Sequence, residues 1–179
     1  MIIEKLKKYK IFCMIVLIIM IIGSIAYYFG YYKHSPEYAA NMFWGTIKNN
    51  TPEQRNIDEI YNMIYSEKLH DWEHAVKSYY SVLTIDEYKL KGKQKIDDEL
   101  YEFTIFVDPK LEDGINTDEN NKISNFFMIK VSGKWKVVIG IHTLPDSKFQ
   151  EHEDLYERLV KHRIAAEKNG IILMGDNGF

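Results

Sequence analysis

From Ile11 to Tyr32 the chain runs IFCMIVLIIMIIGSIAYYFGYY without one charged residue, and no later stretch repeats this. As a helix it is long enough to cross a hydrocarbon layer of roughly 30 Å, so the pattern predicts a transmembrane segment. After it the apolar positions become periodic. Ser35 is a candidate N-cap with Pro36 at the first helical position, and Ala39, Met42, Phe43 and Ile47 recur at helical spacing. Thr51 and Gln54 stand at capping-box spacing, and Ile57, Ile60, Tyr61, Ile64 and Tyr65 continue an i, i+3, i+4, i+7, i+8 stripe that predicts a second helix. Asp71 can cap a third, with Trp72, Val76, Tyr79, Tyr80 and Leu83 as its apolar positions.

The period then shortens to two. Thr84 to Lys91 and Leu100 to Val107 read as strands, with Gly92 in the polar connection between them. Tyr101, Phe103, Ile105 and Val107 share one face. A clearer hairpin follows, in which Phe127, Ile129 and Val131 alternate up to a turn at Ser132-Gly133 and Trp135, Val137, Ile139 and Ile141 alternate away from it. These three rows are expected to form one apolar inner face, with Glu102, Thr104, Lys130, Lys136 and His142 on the other parity. Ser147 and Gln150 form another capping-box pair, opening a helix with Leu155, Tyr156, Leu159, Val160 and Ile164 that stops near Gly170. The organisation is therefore a tail (1–10), a membrane helix (11–32), a folded domain (35–146) and a C-terminal helix with its tail (147–179). The fold class is α+β: two to three helices packed on a curved antiparallel sheet, plus the C-terminal helix.

Charge gives this arrangement a direction. Lys5, Lys7, Lys8 and Lys10 precede the apolar run against the single Glu4, and only Lys33 closely follows it. The positive-inside rule then keeps the N-terminus cytoplasmic and puts the rest outside, as a single-pass protein of the cell membrane. Tyr27, Tyr28, Tyr31 and Tyr32 fit an outer aromatic belt. A cleaved signal peptide is the competing reading, because Ser24-Ile25-Ala26 suits a peptidase; the apolar character continuing through Tyr32 argues against it. Cys13 is the only cysteine, which excludes an intrachain disulfide. The first 34 residues hold five of the 23 Lys+Arg and one of the 26 Asp+Glu, leaving 18 basic against 25 acidic residues outside. So acidic a domain repels phosphates, and no nucleic-acid partner is expected. The acids of DPKLEDGINTDENNK lack EF-hand spacing and read as a solvated loop.

The opening SPEYAANMFWGTIKNNTPEQ and the hairpin FFMIKVSGKWKVV resemble the nuclear transport factor 2-like superfamily, over roughly Ser35 to Thr143. The resemblance implies a cone-shaped domain with helices packed into a bent sheet. A membrane helix followed by one such domain is similar to the bitopic scaffold subunits of type IV secretion and conjugation machines, and to small anchored proteins of Gram-positive bacteria. The C-terminal helix goes beyond the minimal fold.

Enzymes of that superfamily work inside the cone, where a desolvated carboxylate or histidine is the reactive group. The predicted inner rows contain neither, so no catalytic residue is assigned and no cofactor is expected. A small apolar ligand or peptide in the cone is the alternative, with Tyr61, Tyr65 and Trp135 as candidate ligand-binding residues. The sharpest motif is HDWEH, which sets His70, Glu73 and His74 in the H-x-x-E-H order of a zinc hydrolase. Two histidines four apart share a helix face, but a catalytic zinc needs a third ligand, for which His142, Glu151, His152 and His162 are only scattered candidates. His70 and His74 thus remain remote metal candidates. The leading expectation is a non-enzymatic interaction domain that meets the membrane through residues 11–32. The stripe of the C-terminal helix is expected to pack on the domain's own sheet or helices, because intramolecular burial avoids the entropy cost of association; the alternative is that Tyr156, Leu159 and Val160 contact a protein partner or a second copy of the chain.

Overall fold

The computed structural model describes residues 2–65, 70–71, 73–109, 123–138 and 144–168. Trp72, the centre of the acidic loop (110–122), Ile139, Ile141, His142 and the C-terminal tail lie outside them.

Helix α1 (Ile2–Gly30) carries the apolar run, and the span Phe12–His34 has a mean hydropathy of 2.5 with its apolar window wholly unburied. It is long and apolar enough to cross a membrane. A 3₁₀ turn (Tyr32–His34) leads directly into α2 (Pro36–Asn49). The junction is hydrogen-bonded throughout: His34 N donates to Tyr31 O at 3.1 Å, Ser35 N to Tyr32 O at 2.9 Å, and Ser35 Oγ accepts from Tyr38 N at 3.2 Å. Ser35 is the N-cap and Pro36 opens the helix, as the sequence predicts.

The second predicted helix is shorter than its stripe. Thr51 makes no side-chain cap; a 3₁₀ turn (Pro52–Gln54) intervenes, and Asn56 caps α3 (Ile57–Asn62) by accepting from Glu59 N at 3.2 Å. Ile64 and Tyr65 leave the helix and form β1 (Ile64–Tyr65), paired parallel with β5 (Lys134–Val138). Apolar residues at the end of a helical stripe fit a short buried strand equally well, so periodicity alone missed the switch. The remaining elements before the C-terminus are α4 (Glu73–Val82), β2 (Ile85–Lys95), β3 (Leu100–Pro109) and β4 (Ile123–Val131). The sheet order is β1-β5-β4-β3-β2, antiparallel except for the β1–β5 edge. It is therefore a mixed sheet rather than the expected antiparallel one. Gly92 belongs to β2, next to a register shift between Leu90 and Gly92; an irregularity of this kind bends a strand. Ser132 (φ 50°) and Gly133 (φ 78°) make the tight β4–β5 turn, in the left-handed conformations that such hairpins require.

Register corrects the predicted inner face. Phe103 pairs with Phe126 and Tyr101 with Met128, while Met128 pairs with Val137 and Lys130 with Trp135. Cross-strand partners share a face, so the first face carries Tyr101, Phe103, Ile105, Val107, Phe126, Met128, Trp135 and Val137. Phe127, Ile129 and Val131 point the other way, and Lys130 joins the Trp135 side. The predicted row fails because Phe126-Phe127-Met128-Ile129 is apolar at both parities and all four are buried. A strand covered on both faces carries no alternation to read.

Each face has its own core. On the first, Phe43, Trp44 and Ile47 of α2, Ile60 of α3 and Val76 and Tyr80 of α4 pack on the sheet, with Phe103 and Phe126 stacked at 5.5 Å. Gly45 permits the close approach of Tyr88, since a Cβ there would stand 3.3 Å from the hydroxyl that donates to Asn41 O. On the second face, Leu100, Phe127, Ile129 and Val138 meet Leu144, Leu155 and Leu159. The expected single C-terminal helix is two, α5 (Asp146–Glu151) and α6 (Leu155–Lys168), and Ser147 lies inside α5 without capping it. Burying each large apolar side chain contributes about 1.5–3 kcal/mol, so the second layer is a substantial part of the fold.

Candidate functional site

The HDWEH residues do not assemble. The described part of α4 begins at Glu73, which leaves His70 in the turn before it rather than one helical turn below His74. His70 is 95% exposed with Nδ1 3.9 Å from Glu73 Oε2, and His74 is exposed as well. Glu73 is engaged elsewhere, at 2.7 Å from Lys77 Nζ, which also reaches Asp58 at 2.6 Å. The two histidines thus lack the shared helical face that a metal would need.

The cluster of metal-ligand residue types among the described residues lies instead between the β2–β3 turn and α5. Donor atoms of Asp97, Glu151 and His152 fall within 4.8 Å of one another. Lys148 Nζ lies among the acids, 2.9 Å from Asp97 Oδ2, 3.3 Å from Glu151 Oε2 and 3.7 Å from Glu99 Oε2, and His152 Nε2 is 3.0 Å from Asp97 Oδ2. The ammonium supplies the positive charge that a metal would bring, so the chemistry of the cluster is that of an ionic clasp holding α5 to the hairpin. Burial by itself would raise the Asp97 carboxyl, but hydrogen bonds from Lys148, Glu99 N and His152 outweigh it and hold the group below the usual carboxylate range. Burial would likewise lower Lys148, and its bonds to Asp97 and Glu151 raise it instead.

A depressed carboxyl stabilises the fold above its unfolded value, near pH 4, and the contribution is lost as pH falls through the folded value. A raised ammonium stabilises below its ordinary value, about 10.4, and the contribution is lost as pH rises through the folded one. The clasp is therefore at full strength between about pH 5 and pH 10. We expect proteolytic cleavage in α5 to accelerate on acidification below about pH 4. In Asp97→Asn it should be fast already at neutral pH; a variant that keeps the wild-type acid transition would assign that transition to other carboxylates.

The three candidate ligand-binding residues are separated. Tyr61 packs against the first core with Lys77 Nζ 5.1 Å from its ring centroid, Tyr65 packs against the second, and Trp135 stands near the end of the first face. Trp135 Nε1 donates to His34 O at 3.0 Å and the ring meets Tyr101 edge-on at 5.3 Å, so its polar end binds the chain just where the apolar helix ends. Of the candidate contact residues, Leu159 is buried in the second core, Val160 is partly buried against it, and Tyr156 is exposed. Arg158 reinforces that docking, reaching Glu102 Oε2 and Asp154 Oδ2 at 2.8 Å each.

Sequence reasoning missed Arg55 altogether. It is only 8% exposed, and its guanidinium donates to three main-chain carbonyls: Ile47 O at 2.8 Å, Tyr80 O at 2.9 Å and Asn50 O at 3.1 Å. These lie at the C-terminal ends of α2 and α4, where unpaired carbonyls and the helix dipoles favour a cation. Burial lowers its pKa, yet a guanidinium remains charged in any such site. Nothing in the polar stretch NNTPEQRN distinguishes this arginine from a solvated one.

In comparisons with known proteins, no family model, curated protein or solved structure matches the chain.

Proposed function

We propose that this chain is a membrane-anchored, extracytoplasmic protein-interaction domain without enzymatic activity. We further propose that it has the nuclear transport factor 2-like fold and serves as a subunit or accessory protein of a cell-envelope assembly of the conjugation or secretion kind. The observation that carries the anchoring is the span Phe12–His34, unburied over its apolar window and continuous with a folded domain through a hydrogen-bonded junction. The charge asymmetry around it supports a cytoplasmic N-terminus. An order of helices first and sheet afterwards supports the superfamily, and the class of assembly rests on the resemblance of the whole layout to bitopic scaffold subunits.

Protease added to intact protoplasts should remove the domain while leaving a cytoplasmic marker whole. A domain protected until lysis would reverse the orientation. Crosslinking in native membranes, followed by recovery of the full chain, should capture the same envelope proteins reproducibly. Recovery of the chain alone from crosslinked membranes would overturn the role in an assembly.

A further inference from the structure

The end of the domain nearest the apolar helix carries three lysines that form no ion pair among the described residues. Trp135, the second residue of β5, bonds to the carbonyl of His34, the last residue of the apolar span, and so places the β4–β5 turn beside the point where that span ends. Lys130 Nζ lies over the Trp135 ring at 5.8 Å, Lys134 follows the tight turn, and Lys33 Nζ lies over Phe29 at 5.6 Å. All three lysines are exposed, and none has a carboxylate within ion-pair distance among the described residues.

Three neighbouring lysines are paired. Lys93 binds Glu37, Lys95 binds Asp98, and Lys148 takes up Asp97 and Glu99 on the α5 side. Asp98 acts on Lys130 from a distance but is committed to Lys95. In a domain with about seven net negative charges, these unpaired lysines thus sit where the apolar span ends.

We infer that Lys33, Lys130 and Lys134 form a binding surface for anionic phospholipid headgroups, with Trp135 at the interface between them. Lysines near an anionic membrane are attracted to it, each by about fivefold in the equilibrium, and indole rings favour the same depth. This inference deepens the proposed function, because it rests on Phe12–His34 crossing the membrane.

The test is hydrogen exchange on the full chain in nanodiscs of phosphatidylcholine alone and of phosphatidylcholine with equimolar phosphatidylglycerol. Amides of the β4–β5 turn should exchange about tenfold more slowly in the anionic discs, an effect within what three such lysines supply. The difference should vanish in the triple variant Lys33→Gln, Lys130→Gln, Lys134→Gln, and in about 0.5 M NaCl, where surface charges are screened. Equal exchange in both discs, or a difference that survives the triple variant, would overturn the headgroup surface and leave the anchor standing. A chain that does not enter discs of either composition would overturn both.

Discussion

Arg55→Met will cost the domain about 3–5 kcal/mol, the largest loss expected from any single polar position. The guanidinium ties Ile47 O and Asn50 O of α2 to Tyr80 O of α4, and its removal leaves three carbonyls in a buried region without their donor. Bonds from a charged donor are stronger than neutral ones, and abandoned acceptors add their desolvation cost. Arg55→Lys should recover only part of the loss, since one compact ammonium lacks the planar fork that reaches three acceptors. Denaturant unfolding of the full chain in detergent micelles, followed by tryptophan fluorescence, measures both. A loss under 1 kcal/mol for the methionine variant would mean that α2 and α4 are held together by their apolar contacts alone.

Leu159→Asp is expected to cost a similar 3–5 kcal/mol by a different route. Leu159 is 6% exposed and packs with Phe127, Ile129, Val138, Leu144 and Leu155. A carboxylate there must either be buried unpaired or pull α6 off the sheet, and the second outcome uncovers the whole apolar row of β4. Circular dichroism should show a lowered melting temperature, and protease should cleave early within α6. An unchanged melt with lost recovery of crosslinked partners would transfer the stripe from the fold to an interface. A variant unchanged in both would remove the helix from either role.

Much of this architecture is legible in the chain because local rules and burial agree there. The apolar run of α1, the Ser35-Pro36 start of α2 and the Ser132-Gly133 turn each follow from a few adjacent residues. What escaped depends on contacts distant in sequence. Phe127 and Ile129 face a helix some 30 residues later, and no alternation within β4 could reveal that both of its sides are covered. Ile64 and Tyr65 become a strand because β5, more than 70 residues on, offers an edge to pair with. The candidate sites divide in the same way. The letters of HDWEH suggested a metal while the helix start separates the histidines, whereas the Asp97–Lys148 clasp joins two polar segments of no local distinction.

The junction between α1 and α2 has a mechanical consequence. With Tyr28, Tyr32 and Tyr38 in mutual ring contact at 5.6 to 6.3 Å and Trp135 bound to His34, the folded part lacks a slack tether on which to swing. It is mounted rather than leashed, so if the helix crosses a bilayer as proposed, a tilt of the helix would become a tilt of the whole head. Two copies diffusing in one membrane would meet with their heads already level and oriented, which removes much of the rotational search that a freely swinging head would face. Lengthening this joint with flexible residues would restore that freedom.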